Sequence, residues 1–509
     1  MKPSTELFKL ITSLTKSEKR FFKLTSSLQS GEKNYLKIFD YIEIQESYDE
    51  YALKEEFKGQ NFIKHLPSEK NHLYRLILKS LRAYYGDYTV SSALKQEIKN
   101  VEILYNKALY KECEKFVTRA KQSAKKHEKF YYWYELIGWE KKLIELAYES
   151  GVFSLDLDRL VAEEEHVISK LRNLAEYTVI YSKINFVFRS GGFTRNEEER
   201  KVVRGIQNCH LIKGENTALS IKAASICYYI KGLCAATNRD YEFAFQYFNK
   251  TLEILDANPD IKLDTGQRYV NTLFHLLRCH IDNNKFDEAK KMIREIRSLK
   301  GKKGFNFVNI SVRIFANTAY QELTMYNKMG KFNKSVRLLK EVEKKQQKYA
   351  DNISKEMHVL LTYAKAYSYF GVGNYRESLH YLNQVINDKE QNLRQDIYSF
   401  SRIFNVVLHF ELRNYEFLEY VVKSTNRYLR RQNRECQIEN ICAKRIKNLA
   451  KTVDYNKRVA LLQRMDSEVT ELLKNQNECV VLEYFNISAW IKSKLNKVSY
   501  KDQIVREHK

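Results

Sequence analysis

The side chains in this sequence that could bind a metal ion occur as three pairs at helical spacing. They are Glu69 with His72, Glu163 with His166, and His275 with Cys279. Two Glu-x-x-His pairs could contribute to a carboxylate di-iron site in a helical bundle, and the His–Cys pair could contribute to a zinc site. No further ligands accompany them at metal-ligand spacing, and a chain with 63 Asp and Glu and 11 His contains such pairs by chance. We therefore predict no metal site.

Motifs that would indicate an enzyme do not occur. The sequence has no Gly-x-Ser-x-Gly, no His-Glu-x-x-His, no dinucleotide-binding glycine pattern and no kinase signature. We expect a protein that is not an enzyme, with no catalytic residues, no cofactor and no identifiable small-molecule substrate.

Two groups of basic residues are candidates for binding an anion or an acidic partner. The first is Gly301-Lys302-Lys303-Gly304, which has the form of the loop with which KH domains hold a nucleic-acid backbone. The second is a run of arginines at positions i, i+3, i+4 and i+7 on one helix face: Arg427, Arg430, Arg431 and Arg434. Arginine suits bidentate phosphate or carboxylate binding, and a stripe of arginines repels itself unless an anion meets it. The alternative for both groups is an ordinary solvated surface.

Positive charge is concentrated in two blocks of the chain. Residues 285–350 contain 17 Lys and Arg against 6 Asp and Glu, and residues 420–509 contain 19 against 10, within a net charge of +24. Such blocks favour nucleic acid, an anionic membrane surface or an acidic protein face, although lysine-rich helix exteriors are equally compatible.

The elements that carry these residues are predicted to be helices. The chain has 16 Gly and 3 Pro in 509 residues, where average usage gives roughly 36 and 25. Sheets need turn residues at every reversal, so this composition predicts an all-α protein.

Short polar corners recur along the chain at an interval of 40–46 residues. Each has an aromatic residue, usually followed three positions later by a small one, and the aromatic residues are Tyr241, Phe286, Phe332, Tyr375 and, more weakly, Tyr415. Tyr110 marks an earlier copy, and glycines 151 and 192 lie near two tentative ones. This interval fits a pair of helices with turns, so we expect a helical hairpin repeat in which Asn or Gly ends the first helix in the left-handed conformation.

These corners resemble the tetratricopeptide repeat (TPR) family. The best copy has Tyr228, Gly232, Tyr241, Ala244 and Phe248 at that family's spacings, although the interval exceeds its 34 residues and the closing proline is absent except near Pro259. The resemblance covers about residues 100–450. It implies a right-handed α-solenoid whose concave face, lined by tyrosines and polar groups of the first helices, binds something.

The N-terminal residues do not fit the repeat. Thr15 and Glu18 predict a capping box, and further helices follow to about Tyr85. A helix-turn-helix around Gly59 is one interpretation of these helices, and a helical cap is the other. Against the first, Pro67 falls inside the segment that should be the recognition helix.

The opening from Leu7 to Phe22 is similar to the start of large cytoplasmic repeat proteins of Bacteroidota, which have no agreed activity. The predicted domains are a helical N-terminal domain (1–95), a TPR-like array (96–450) and a basic C-terminal helical cap (451–509).

The sequence predicts a cytoplasmic interaction scaffold or adaptor that binds a protein partner, either a peptide or a helix. Eight scattered cysteines indicate a reducing compartment, and no apolar stretch is long enough to insert into a membrane. A nucleic-acid- or ribosome-associated protein that uses the blocks 285–350 and 420–509 is the alternative.

Overall fold

A computed structural model confirms the all-α class. It describes residues 4–27, 33–149, 157–189, 191–194, 197–349, 352–389, 394–431, 437–475 and 478–507. These residues form 27 α-helices and short 3-10 turns, with no β-strand among them. None of the helices in the described ranges is both long enough and apolar enough to cross a membrane.

The chain divides into two compact units, Met1–Ile168 and Ser169–Lys509. The helices of the first unit are α1 (Glu6–Ser13), α2 (Lys16–Ser27), α3 (Asn34–Glu43), α4 (Glu50–Glu56), α5 (Leu66–Tyr84), α6 (Val90–Asn106), α7 (Tyr110–Lys126) and α8 (Phe130–Glu149). The division falls within α9 (Leu157–Arg189). The predicted limits at residues 95 and 450 stay predictions.

The start of the first unit contains the predicted capping box. The backbone N–H of Glu18 donates to Thr15 Oγ1 (3.3 Å), and the backbone N–H of Thr15 donates to the Glu18 carboxylate (2.5 Å). Pro67, however, does not interrupt the interior of a helix, as the sequence argument assumed. It occupies the first turn of α5, where its missing N–H leaves no helical hydrogen bond unmade.

The second unit continues with α10 to α27. They are α10 (Glu197–Gln207), α11 (His210–Lys213), α12 (Ile221–Thr237), α13 (Tyr241–Asp256), α14 (Pro259–Asp264), α15 (Gly266–Asp282), α16 (Phe286–Ser298), α17 (Val308–Lys328), α18 (Phe332–Lys348), α19 (Lys355–Gly371), α20 (Tyr375–Ile386), α21 (Gln395–Glu411), α22 (Tyr415–Arg431), α23 (Gln437–Lys451), α24 (Tyr455–Leu472), α25 (Val481–Tyr484), α26 (Ile487–Leu495) and α27 (Tyr500–Glu507).

Each of the six corners with a clear aromatic residue begins a helix at that residue, which the tentative corner at Gly192 does not. The residue two positions earlier is in the left-handed conformation each time: Ala108, Arg239, Asn284, Gly330, Gly373 and Arg413, with φ between 57° and 79°. Asn and Gly were expected there, but two corners use Arg and one uses Ala. The tentative corner at residues 151–153 lies outside the described residues, whereas Gly192 has a φ of 81°.

Consecutive helices of the second unit pack as hairpins that stack on one another. Within hairpins α12 packs on α13, α15 on α16, α17 on α18, α19 on α20, and α21 on α22. The first helices also pack in series, α15 on α17, α17 on α19, and α19 on α21. Small residues let the two helices of a hairpin approach closely. Between α12 and α13, for example, a Cβ on Gly232 would lie 2.6 Å from the ring of Phe248. The architecture is compatible with a helical repeat array.

The C-terminal residues belong to this core. Trp490 is fully buried, and Phe485 stacks on Phe404 of α21 with 4.9 Å between ring centroids. Trp490 Nε1 also donates to Glu411 of α21 (2.6 Å). The segment 478–507 is therefore held against the first helices of the later hairpins.

Candidate binding site

The first helices of three consecutive hairpins are α15, α17 and α19. Each of them presents one stripe of residues to two neighbouring cavities. Residues of their N-terminal halves line the first, which we call the amide groove, and residues of their C-terminal halves line the second, the inner cavity. We call these stripes together the inner face. On α15, for example, Asn271 and His275 lie in the groove, and Arg278 and Asp282 lie in the cavity.

The inner cavity has a volume of about 430 Å³ and is closed on one side by the segment 478–507. The inner face contributes Tyr320, Tyr363 and Tyr367, and the C-terminal segment contributes Leu482 and Ile504, among others. Tyrosines of first helices were expected on the binding surface, and here the chain's own C terminus covers part of them.

One carboxylate of the C-terminal segment is bound by residues that line the inner cavity. Glu483 accepts from Arg239 Nη2 (2.8 Å), Tyr241 Oη (2.9 Å) and Arg278 Nη2 (3.4 Å). Arg278 also donates to Asp282 (2.7 Å). Burial alone lowers the pKa of the Arg278 guanidinium, but Asp282, Tyr320 and Glu483 outweigh it and raise this pKa well above its usual value. These residues of the inner cavity therefore hold the Glu483 carboxylate.

A second buried ion pair lies at the start of α21, and a hydrogen bond joins it to the C-terminal segment. Arg394 donates to both oxygens of Asp396 (3.0 and 2.6 Å), and the Tyr484 hydroxyl donates to the same carboxylate. Asp396 has no exposed surface. Burial raises its pKa, but Arg394 and the hydrogen bond from Tyr484 outweigh that effect and hold the pKa below its ordinary value.

The amide groove has a volume of about 400 Å³ and opens to solvent. Its polar lining repeats at four-residue intervals on each helix: Tyr181, Asn185 and Arg189 on α9; Gln267, Asn271 and His275 on α15; Asn309, Arg313 and Asn317 on α17. Neighbouring stripes are connected, since Arg313 Nη1 donates to Asn271 Oδ1 (3.2 Å). At the rim, Arg189 is paired with Glu356 (2.7 Å).

The histidine of the groove, His275, is half-buried and packs among aromatic side chains. His275 Nε2 lies 2.9 Å from the Tyr229 hydroxyl, and its ring stacks on Phe248 at 4.7 Å between centroids. Burial lowers the pKa of His275 to about 4. With Cys279 buried beside it on α15, a packing role accounts for both residues.

The other pairs considered for metals are also engaged in packing or ion pairs. Glu163 accepts from Lys125 (2.7 Å) and Trp133 Nε1 (2.6 Å), and the ring of His72 packs edge-on to Tyr35. Within the part of the chain that the structure describes, no group of three or more His, Cys, Asp or Glu side chains is placed to bind a metal ion.

The predicted basic residues lie apart from the inner face. Arg427 and Arg430 are exposed on α22 and line a shallow recess of about 490 Å³ together with Lys423 and Asn426. The Arg431 side chain and all of Arg434 lie outside the described residues. Lys302 and Lys303 are exposed in the turn between α16 and α17 and do not line that recess.

Sequence reasoning missed the groove residues, although a signal for them exists. Each polar stripe repeats at i, i+4 and i+8 within a first helix, as in Gln267, Asn271 and His275. A polar stripe along one face of a helix indicates a surface kept in contact with solvent or a ligand. What the sequence did not show is that stripes some 40 residues apart meet.

No protein-family model and no curated protein matches this chain. The resemblance of the corner residues to the TPR family therefore stays a prediction.

Proposed function

We propose that this protein is a non-catalytic interaction scaffold that binds an extended segment of a protein partner in the amide groove. The observation that carries the proposal is the groove itself, which is lined by side-chain amides and arginines of α9, α15 and α17. Asn185 and Asn271 lie half-buried in it. Carboxamides both donate and accept hydrogen bonds, which matches the alternating N–H and C=O groups of an extended backbone.

Within this proposal the hairpins form a TPR-like, right-handed α-solenoid with a helical N-terminal cap. The left-handed residue before each aromatic corner and the buried small residue after it support the proposal, with Ala244, Ala289, Ser335 and Ser378 fully buried. Stacked hairpin repeats expose extended surfaces that suit peptide or helix binding. We also propose that the protein is cytoplasmic, which the seven described cysteines support because all are free thiols.

The recess on α22 favours a second candidate function, binding of nucleic acid or of a ribosome. Arg427 and Arg430 have no carboxylate within ion-pair distance among the described residues, so their charges are available to phosphates. Other cations of the same block are neutralised by the chain itself: Lys447 pairs with Glu419 (2.8 Å), and Arg445 pairs with Glu468. This lowers the charge that the block 420–509 presents, so we rank nucleic acid second.

The two functions are separated by affinity capture from the native host with three baits: the wild-type chain, a groove variant (N185A/N271A) and a recess variant (R427Q/R430Q). Each lysate is divided into nuclease-treated and untreated halves. We expect a stoichiometric protein that survives nuclease and moderate salt, is lost from the groove variant and is retained by the recess variant.

The alternative predicts the reverse. Phosphate contacts weaken steeply with salt because counterions are released. Material that disappears with nuclease and with the recess variant, but is kept by the groove variant, contradicts the scaffold proposal and supports the nucleic-acid one.

A further inference from the structure

The inner cavity has the size and the lining of a small-molecule site, and the proposed function does not use it. Its volume of about 430 Å³ falls within the range of about 300–1,000 Å³ that is typical of ligand pockets. Its body is lined by aliphatic side chains and aromatic rings: Leu360, Tyr363, Tyr367, Ile397 and Ile504. The cavity therefore suits an occupant with an apolar body.

The two tyrosines of α19 form fixed walls of the cavity. The Tyr363 hydroxyl donates to the backbone oxygen of Tyr484 (3.2 Å), and the hydroxyl of Tyr367 lies 2.7 Å from that of Tyr500. Both hydroxyls are thus hydrogen-bonded to the C-terminal segment. What these residues offer to an occupant of the cavity is their rings.

The polar groups that an occupant can meet come from α17. Thr324, Asn327 and Lys328, at i, i+3 and i+4, all line the cavity. Asn327 is only 2% exposed, and its Oδ1 accepts from Ser368 Oγ (3.0 Å). Its Nδ2 has no acceptor among the described residues. A buried donor without an acceptor costs free energy, so this N–H group is a reason for a ligand to bind here.

Lys328 adds a charged donor beside this carboxamide. Two of its three N–H groups are used, since Nζ donates to the backbone oxygens of Ile281 (3.0 Å) and Asp282 (2.8 Å). The nearest carboxylate oxygen among the described residues, Asp282 Oδ1, is 4.0 Å away. Lys328 therefore has one donor left and no carboxylate within hydrogen-bond distance.

Positive charge is in excess around this lysine. Asp282 is already bound by Arg278 (2.7 Å), and Glu483 is shared by Arg278 (3.4 Å) and Arg239 (2.8 Å). With Lys328, three cations of the lining share two carboxylates. The other carboxylate that lines the cavity belongs to Glu507, which is exposed and accepts from an amide of the C-terminal segment (3.0 Å). An anionic group on the occupant would balance the excess.

We propose that the inner cavity is a binding site for a small organic acid, a carboxylate with an apolar body about the size of one aromatic ring. The carboxylate accepts from the Lys328 ammonium and from the Asn327 carboxamide. The body packs against Leu360 and the rings of Tyr363 and Tyr367. This site is separate from the amide groove and does not depend on the partner that the groove binds.

The proposal is tested on the full chain by thermal unfolding at constant ionic strength. The probes are 3-phenylpropionate and indole-3-acetate. Acetate is the control for a carboxylate without a body, and 3-phenylpropionamide is the control for a body without a charge. We expect at least one of the two acids to raise the melting temperature saturably by about 2 °C or more, because a ligand that binds only the folded state stabilises it. Acetate should have no such effect, and the amide should have at most half of it.

Three variants locate the effect. Lys328→Met removes the charge, and Asn327→Asp keeps the oxygen that accepts from Ser368 but replaces the free donor with a second oxygen. Both are expected to lose the acid-dependent shift. Lys340→Met, which removes an exposed lysine of α18, is the matched control and should respond as the wild type does.

Several results contradict the proposal. They are the absence of a saturable shift with either acid, an equal shift with acetate or with the amide, and a shift that persists in both Lys328→Met and Asn327→Asp. If Lys328→Met does not fold, the decision falls on Asn327→Asp and on the comparison of acid with amide in the wild-type protein.

Discussion

The buried ion pair between Arg394 and Asp396 can be dissected with two conservative substitutions. Asp396→Asn removes the charge and keeps the shape, and Tyr484→Phe removes one hydroxyl while the ring still stacks on Phe400 at 4.4 Å between centroids. Both side chains are deeply buried. The substitutions therefore test charge and hydrogen bonding with little change in packing.

The magnitudes follow from what each substitution leaves behind. Asp396→Asn leaves Glu356, at 3.8 Å, as the one described carboxylate near Arg394, so the free energy of unfolding should fall by about 3–5 kcal/mol, the cost of breaking a buried pair. Tyr484→Phe removes a hydrogen bond to a charged group, which contributes about 1.5–3 kcal/mol. The double variant should lose less stability than the sum of the two single losses, because the Tyr484 hydroxyl bonds less strongly to a neutral Asn.

The effect of Asp396→Asn should depend on pH. The folded pKa of Asp396 is below its ordinary value, so the stability it contributes is fully present above the unfolded pKa of roughly 4. That contribution is lost as the pH falls through the folded pKa. The difference between wild type and variant should therefore be largest near pH 7 and shrink in acid.

The assay is urea unfolding followed by the fluorescence of Trp490, which is fully buried in the same segment. Trp133 and Trp139 are replaced by Phe in all variants, so that the signal comes from the second unit alone. A loss below about 1 kcal/mol for Asp396→Asn, or fully additive losses in the double variant, would refute the buried network described above.

The remaining predictions concern helix packing and the C-terminal segment. Gly371→Ala should destabilise the second unit by about 1–3 kcal/mol, because its Cβ would lie 2.0 Å from the ring of Phe332; Gly205→Ala, a helical position with open space around it, should stabilise by up to about 1 kcal/mol. Equal urea midpoints for the two variants would contradict the close approach of α19 to α18 at Gly371. Glu483→Gln should cost about 1–2 kcal/mol and raise amide hydrogen exchange in residues 481–507, as measured by mass spectrometry. Glu471→Gln, at an exposed ion pair, is its matched control, and an equal increase in both variants would count against the anchoring role of Glu483.

The corners could be predicted from the sequence because they depend on local chemistry. A left-handed residue, an aromatic side chain and a small residue lie within six positions of one another, and their spacing is visible in the printed chain. The prediction was least accurate where backbone conformation did not follow residue type. At Arg239 and Arg413 the left-handed conformation is adopted by residues that rarely favour it, since packing of the two helices compensates for its cost.

The candidate site was much less accessible to sequence reasoning. The arginines of α22 stood out because they are close in sequence, while Asn271 and Arg313 of the groove are separated by 42 positions and each looks ordinary alone. Whether an arginine is paired depends on which carboxylate lies opposite, and that carboxylate is often distant in sequence. Glu483, for example, lies 244 residues from Arg239.

Composition, helical periodicity and turn chemistry therefore determined by themselves that this protein is built of helices in hairpins of about 40–46 residues, because each of these features acts over a few residues. Only the tertiary structure decided which polar stripes meet in one groove, which cations are neutralised and where the C-terminal segment lies. The physical reason is that burial and Coulomb energy depend on distance in space, and local sequence patterns do not contain those distances.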